Sequence, residues 1–111
     1  MRTGVFWVTF QSSLATVGEA VVVCDAVGGV HGAGRTHAFR GRWCDDDEHL
    51  EVEALHLSGE ESSLLGGLPS VVLDLAVTRD DEEGFRAAGT VRGADEVRVK
   101  VLAKRLCDLA G

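Results

Sequence analysis

The sequence predicts an all-β protein, a single antiparallel up-and-down barrel of about eight short strands. Three observations point there. Apolar and polar residues alternate with period two through most of the chain, and no segment carries a convincing 3.6-residue stripe. Glycine-rich or charged turn signals separate the alternating runs at short intervals. Valine recurs in those runs while proline occurs once, at Pro69, a balance that favours strands over helices. Closure is preferred to an open sheet because it removes edges, which strands this rich in valine would otherwise expose.

Taken in order, residues 5–11 put Phe6, Val8 and Phe10 on one face. In residues 19–25 the flanking acids share a face with Val21 and Val23, so Ala20, Val22 and Cys24 point inward. Val27, Gly28 and Gly29 read as a turn, followed by a glycine-rich passage to Gly34. Residues 36–43 alternate again, with His37, Phe39, Gly41 and Trp43 inward and Arg40 and Arg42 outward. Cys44 to Glu48 reads as a tight acidic connection. Leu50, Val52, Ala54 and His56 then face in, against Glu51 and Glu53. Residues 59–70 read as the longest loop, whose Leu64, Leu65 and Leu68 would either pack as a lid or line a ligand entrance.

Val71, Leu73, Leu75 and Val77 begin a strand that ends in the charged turn 79–84. Phe85, Ala87, Gly89 and Val91 follow as an inward set against Arg86 and Arg92. The last strand sets Val97, Val99, Val101 and Ala103 against Arg98, Lys100, Leu102 and Lys104, with room for one helical turn after Lys104. The inward residues mix Phe and Trp with Ala and Gly, as a tapering barrel of about eight strands requires.

With 111 residues the chain reads as one domain, 1–111, large enough for an independent core. No apolar run approaches the roughly 18 residues that span a bilayer, which speaks against membrane insertion. The opening residues, Met1 to Gly4, lead straight into a strand pattern rather than the apolar core of a secretory signal. Cys24, Cys44 and Cys107 are odd in number, far apart and not in a C-x-x-C pair, so a reducing cytoplasm is the expected compartment. Cys24 reads as a small core hydrophobe, and Cys44, beside carboxylates, as a poor nucleophile.

Net charge is −7 and unevenly spread: residues 1–84 carry 5 basic and 15 acidic side chains, residues 85–111 carry 6 and 3. An acidic body repels phosphate backbones and favours basic partners, so direct nucleic-acid binding is not expected. The one basic stripe, Arg98, Lys100 and Lys104, lacks neighbouring aromatics in the sequence and reads as a charge match within the chain or between subunits. His31, His37, His49 and His56 form neither H-x-H nor H-E-x-x-H, so no metal site or cofactor is expected. No serine sits in a nucleophile-elbow context, and no nucleophile, base and oxyanion set is legible. The chain does not read as an enzyme.

Several stretches together resemble the GrlR-like negative regulators of type III secretion. Residues 4–11, a glycine followed by Phe6-Trp7-Val8-Thr9-Phe10, are similar to that family's opening strand. Gly32-Ala33-Gly34 through Phe39-Arg40-Gly41 resembles its Gly-Gly-Asp…aromatic-x-Gly stretch, although Ala33 and Gly34 stand where the family has Gly and Asp. Val91-Arg92-Gly93, then Val99, Val101 and Ala103-Lys104, resembles its closing hairpin. The resemblance covers nearly the whole chain. It implies a lipocalin-like barrel, usually dimeric, that sequesters a transcription activator by protein contact.

It also implies a capture site on the acidic hairpin after the aromatic-x-Gly strand, here Asp45, Asp46, Asp47 and Glu48. From the residues alone, four adjacent carboxylates read either as a solvated turn or as a site that steers a basic partner. The second acidic run, Asp80, Asp81, Glu82 and Glu83, lacks calcium-loop spacing and reads as a solvated turn. Outward Val5, Trp7, Val21, Val23, Leu55 and Leu57 come from strands expected to neighbour one another, and an exposed apolar patch with a Trp anchor predicts a homodimer interface. The competing function is a lipocalin-type carrier of a small apolar ligand. It would require an open interior cavity with a few convergent polar groups.

Overall fold

A computed structural model describes residues 2–14, 17–44, 48–57 and 70–109. The chain runs up and down through eight antiparallel strands: β1 (Gly4–Ser12), β2 (Val17–Cys24), β3 (Gly29–Gly34), β4 (His37–Cys44), β5 (His49–His56), β6 (Ser70–Asp81), β7 (Gly84–Val91) and β8 (Ala94–Cys107). Each strand pairs with its sequence neighbours, and β1 also pairs with β8, so the sheet closes without an edge. The described residues contain no helix. The predicted up-and-down barrel is therefore the observed one.

Alternation does the sorting. In β1 the inward Phe6, Val8 and Phe10 are buried while Trp7 between them is exposed, and the same rhythm recurs in β2, β5 and β8. Edge-on aromatic contacts knit the interior: Phe6–Phe85 at 5.3 Å, Trp43–Phe85 at 5.2 Å and Phe10–Phe39 at 5.0 Å between centroids. Cys24 is fully buried, and burial pushes its thiol up to about 11, against a weak opposing contact from the Trp43 indole. That indole Nε1 has no hydrogen bond of proper geometry among the described residues.

Three local expectations need correction. The glycine-rich passage is a strand, β3, paired on both sides, although Val30 is its one buried apolar residue. A hydrophobic pattern with a single inward anchor is too sparse to register as a strand, and the neighbours' ladders supply what it lacks. The strand β6 continues through Arg79, Asp80 and Asp81 by way of a bulge between Val77 and Arg79, so the charged turn shrinks to Glu82 and Glu83. After Lys104 the chain stays extended to Cys107, because β1 pairs it there, and no helical turn forms. Leu64, Leu65 and Leu68 lie outside the described residues.

The two barrel ends differ. At the end carrying the β2–β3, β4–β5 and β6–β7 turns, Arg2 lies 4.7 Å from the Trp43 ring and 5.8 Å from the Phe85 ring, and pairs with Asp80 at 3.0 Å. Arg105 stacks over Phe6 at 5.0 Å and donates to the Thr3 carbonyl. Two guanidinium groups thus close this mouth over an aromatic floor, a cation–π arrangement that tolerates half-buried charge. At the opposite end, inward His37 and His56 are cross-strand partners with rings 5.1 Å apart, beside Phe10 and Phe39.

Candidate functional site

The interior is the first place to look for a ligand site, and it is nearly full. Among the described core side chains lies a void of about 50 Å³, lined only by apolar residues such as Phe10, Phe39, Leu50, Leu73 and Phe85. Small-molecule sites enclose roughly 300–1,000 Å³ and place a few polar groups for orientation. This void has neither the volume nor the polar groups. Among the described residues no three His, Cys, Asp or Glu side chains converge on a point where a metal ion would sit.

The outside is more informative. Trp7 pairs with Val21, Val21 with Ala33, Ala33 with Ala38, and Ala38 with Leu55, so one apolar row crosses five strands without a polar interruption. The row is widest at β1–β2, where Val5 pairs with Val23, and it is flanked by Val17 and Leu57, both strongly exposed. Trp7 and Val21 are each 41% exposed, unusual for residues of this size on a small barrel. Of the six residues expected at an interface, Val5, Trp7, Val21 and Val23 lie together on β1 and β2, whereas Leu55, on β5, and Leu57, just after it, are halfway round the closed barrel. Leu55 and Leu57 do not neighbour β2; β3 and β4 lie between, and Ala33 and Ala38 bridge the gap. Neither alanine stands out in the sequence: the strand that carries Ala33 is not legible there, and Ala38, although on a legible strand, is too small to mark a surface by itself.

Relief along the row alternates. Trp7 and Val21 form a ridge, and beside it lies an open hollow of about 390 Å³ bounded by Trp7, Val17, Val21, Ala33 and Arg35. Of the outward residues on this wall, Ala33 has the shortest side chain and forms the floor of the hollow. One side of the next row is polar, with His31, Arg40 and Glu53 in register, and Arg40 bonds Glu53 at 2.7 Å.

The acidic end is the second feature. Asp45, Asp46 and Asp47 lie outside the described residues, while Glu48 stands exposed in the β4–β5 turn. The topology adds carboxylates the sequence reading had set apart: Asp25 in the β2–β3 turn, Asp80 to Glu83 at the β6–β7 turn, and Asp108 after β8 are at the same end. Some of these have structural duties. Asp25 accepts the backbone N–H groups of Val27 and Gly29 at 2.9 and 2.7 Å, which hold its carboxyl below the usual range. Asp81 accepts the Glu83 N–H, and Asp80 holds Arg2. Among the described residues Glu48, Glu82 and Glu83 make no ion pair and present their charge to solvent.

A third charged feature ties the wall together away from that end. Arg92, in the β7–β8 turn, donates to Asp74 at 3.0 Å and to Glu51 at 2.8 Å, bridging β5 and β6. The guanidinium holds the Asp74 carboxyl below its ordinary value. No helix among the described residues is long and apolar enough to cross a membrane. No protein-family model and no curated protein matches this sequence.

Proposed function

We propose that this barrel is a cytoplasmic regulatory binding protein, not an enzyme, that pairs with a second copy and sequesters a basic protein partner such as a transcription activator. The observation that carries the reading is the exposed apolar surface of Trp7, Val17, Val21 and Ala33 on β1–β3, in a protein whose interior shows a void of about 50 Å³. Apolar side chains on the outside of a closed barrel are only partly covered by folding, and a partner that seals them gains the rest of that burial. Ridge and hollow lie on the same patch, as a two-fold interface requires, because each copy must offer both the knob and its socket.

The acidic end supplies the second contact. Glu48, Glu82 and Glu83, with Asp45, Asp46 and Asp47 adjoining in sequence, would steer a cationic surface and set its register more than its affinity. The resemblance to GrlR-like regulators points the same way, toward anti-activation.

Two measurements test the reading. Sedimentation velocity is expected to show a dimer that Trp7→Ser combined with Val21→Ser converts to monomer, with the barrel's circular dichroism unchanged. A monomer in the unmodified protein at high concentration would remove the dimer. Affinity capture from the native cell is expected to retain a basic protein that elutes with salt and is lost when Asp45, Asp46, Asp47 and Glu48 become Asn and Gln. Undiminished capture by that variant removes the acidic site.

A further inference from the structure

We infer that the outer wall of β7 and β8 docks a short acidic segment of a partner protein, held extended, with two carboxylates four residues apart around one apolar residue. This surface runs up to the acidic end, where Asp81 and Glu83 adjoin Lys104, but is opposite to it in charge, and the inference does not rest on the regulatory reading. Arg86, Arg98, Lys100, Leu102 and Lys104 are all exposed here. Their pairings interleave them: Thr90 lies beside Arg98, Ala88 beside Lys100, Arg86 beside Leu102, and Gly84 beside Lys104.

Four cations on this wall stand without an ion pair among the described residues. Elsewhere Arg2, Arg40, Arg79, Arg92 and Arg105 each hold a carboxylate, while Arg35, between β3 and β4, and Arg42, on β4, stand singly. In a chain of net charge −7, leaving these four unmatched maintains a local positive field that a carboxylate partner would neutralise. No carboxylate lies among the outward residues from Arg98 to Lys104, nor among their neighbours Trp7, Thr9 and Gln11 on β1.

Apolar surface sits at the centre. Leu102 is 47% exposed with Arg86 across from it and Lys100 and Lys104 on either side along the strand. Beside Leu102 lies an open hollow of about 330 Å³ with Arg86 and Lys104 on the near side and Arg79, Asp81 and Glu83 on the far side, so the apolar residue and not a carboxylate of the segment would seat there. An apolar centre rimmed by charge is the usual anatomy of a contact patch. Successive outward residues of a strand stand about 6.8 Å apart, and an extended peptide repeats that interval, so acid–x–apolar–x–acid meets Lys100, Leu102 and Lys104 in step.

The boundaries decide against a long polyanion. Asp95 and Glu96 lie at the start of β8, and Asp81 and Glu83 adjoin Gly84 and Lys104 at the far end. A nucleic-acid strand running along the wall would meet carboxylates on leaving it at either end. A short segment would not. Trp7, the cross-strand neighbour of Lys104, offers a stacking face that a nucleic acid would use, so that outcome belongs in the test.

The probe is a fluorescein-labelled, end-blocked peptide Gly-Glu-Thr-Val-Thr-Glu-Gly, followed by anisotropy with the full chain at low salt. Saturable binding is expected, about tenfold weaker for the combined Lys100→Gln and Lys104→Gln variant and at least threefold weaker for Leu102→Ser. The same peptide with Gln for both Glu is expected not to saturate, and this arm is independent of whether any protein variant folds. Equal binding of the Gln peptide, no saturation by the Glu peptide, or tighter binding of an oligothymidylate than of the Glu peptide would each overturn the inference.

Discussion

His37 shows how a residue that looks ordinary in sequence becomes specific in place. It is 3% exposed, its Nδ1 lies 2.7 Å from the Thr36 hydroxyl, and the inward His56 ring faces it edge-on at 5.1 Å. Burial first, and the neighbouring imidazole second, hold its pKa below the ordinary 6.5. The unfolded chain therefore takes up a proton that the folded one resists. Between the lowered folded value and 6.5 the unfolded state binds more protons, so stability is full above that window and falls as the pH falls through it. Urea midpoints are expected to decline as the pH falls from neutral to below the ordinary imidazole value of 6.5, and His56→Gln is expected to flatten the decline. A midpoint unchanged across that range would show that His37 titrates as it does in the unfolded chain. Asp25 and Asp74, whose pKa values are also lowered, contribute in a separate and more acidic window, because a carboxylate loses its partner's support only on protonation.

At the scale of elements β3 is the instructive case. It has one buried apolar anchor, Val30, and carries glycines at 29, 32 and 34. Those glycines weaken it as an isolated strand but let it approach β2: a Cβ on Gly34 would collide with the Glu19 carbonyl oxygen. Gly34→Val is expected to destabilise the barrel by about 2 kcal/mol or more, read from chemical denaturation, because backbone rather than a flexible side chain must yield. Gly93 is different. It sits in the β7–β8 turn at φ +84 with open space around it, so the constraint there is conformational and not steric. A Gly34→Val variant as stable as the parent would mean that β2 and β3 are free to move apart.

Across the whole molecule, closure links the ends of the chain. β1 pairs with β8 over eight residue pairs, from Val5–Cys107 to Ser12–Val99, so no sheet edge is left for another chain to extend. Closing such a long loop contributes nothing until the intervening strands are ordered, and the β1–β8 seam is therefore expected to open only with global unfolding. Amides of Val8 and Val101 should exchange at the rate set by the full stability, and those of β3 faster, through local opening of its thin contribution to the core. Hydrogen exchange of the native protein checks this, and faster exchange at the seam than at β3 would contradict it. Charge is likewise organised only at this scale. Three acidic turns gather at one end, and four unmatched cations share one wall, in a chain whose total is −7.

The sequence by itself determined which side chains face in. Phe6, Val8, Phe10, Val22, Trp43, Leu73 and Val99 were placed by alternation alone, because a strand has a period of two and water sorts its faces. It also made closure the economical solution for valine-rich strands. What alternation cannot carry is which strand lies beside which residue. The pairing of His37 with His56, the bridge that Ala33 and Ala38 make between Val21 and Leu55, and the seat of Arg2 over Trp43 and Phe85 were decided by register and closure. Each joins residues from different strands, and such neighbours are fixed by the hydrogen-bond ladders of the whole cylinder rather than by any local pattern.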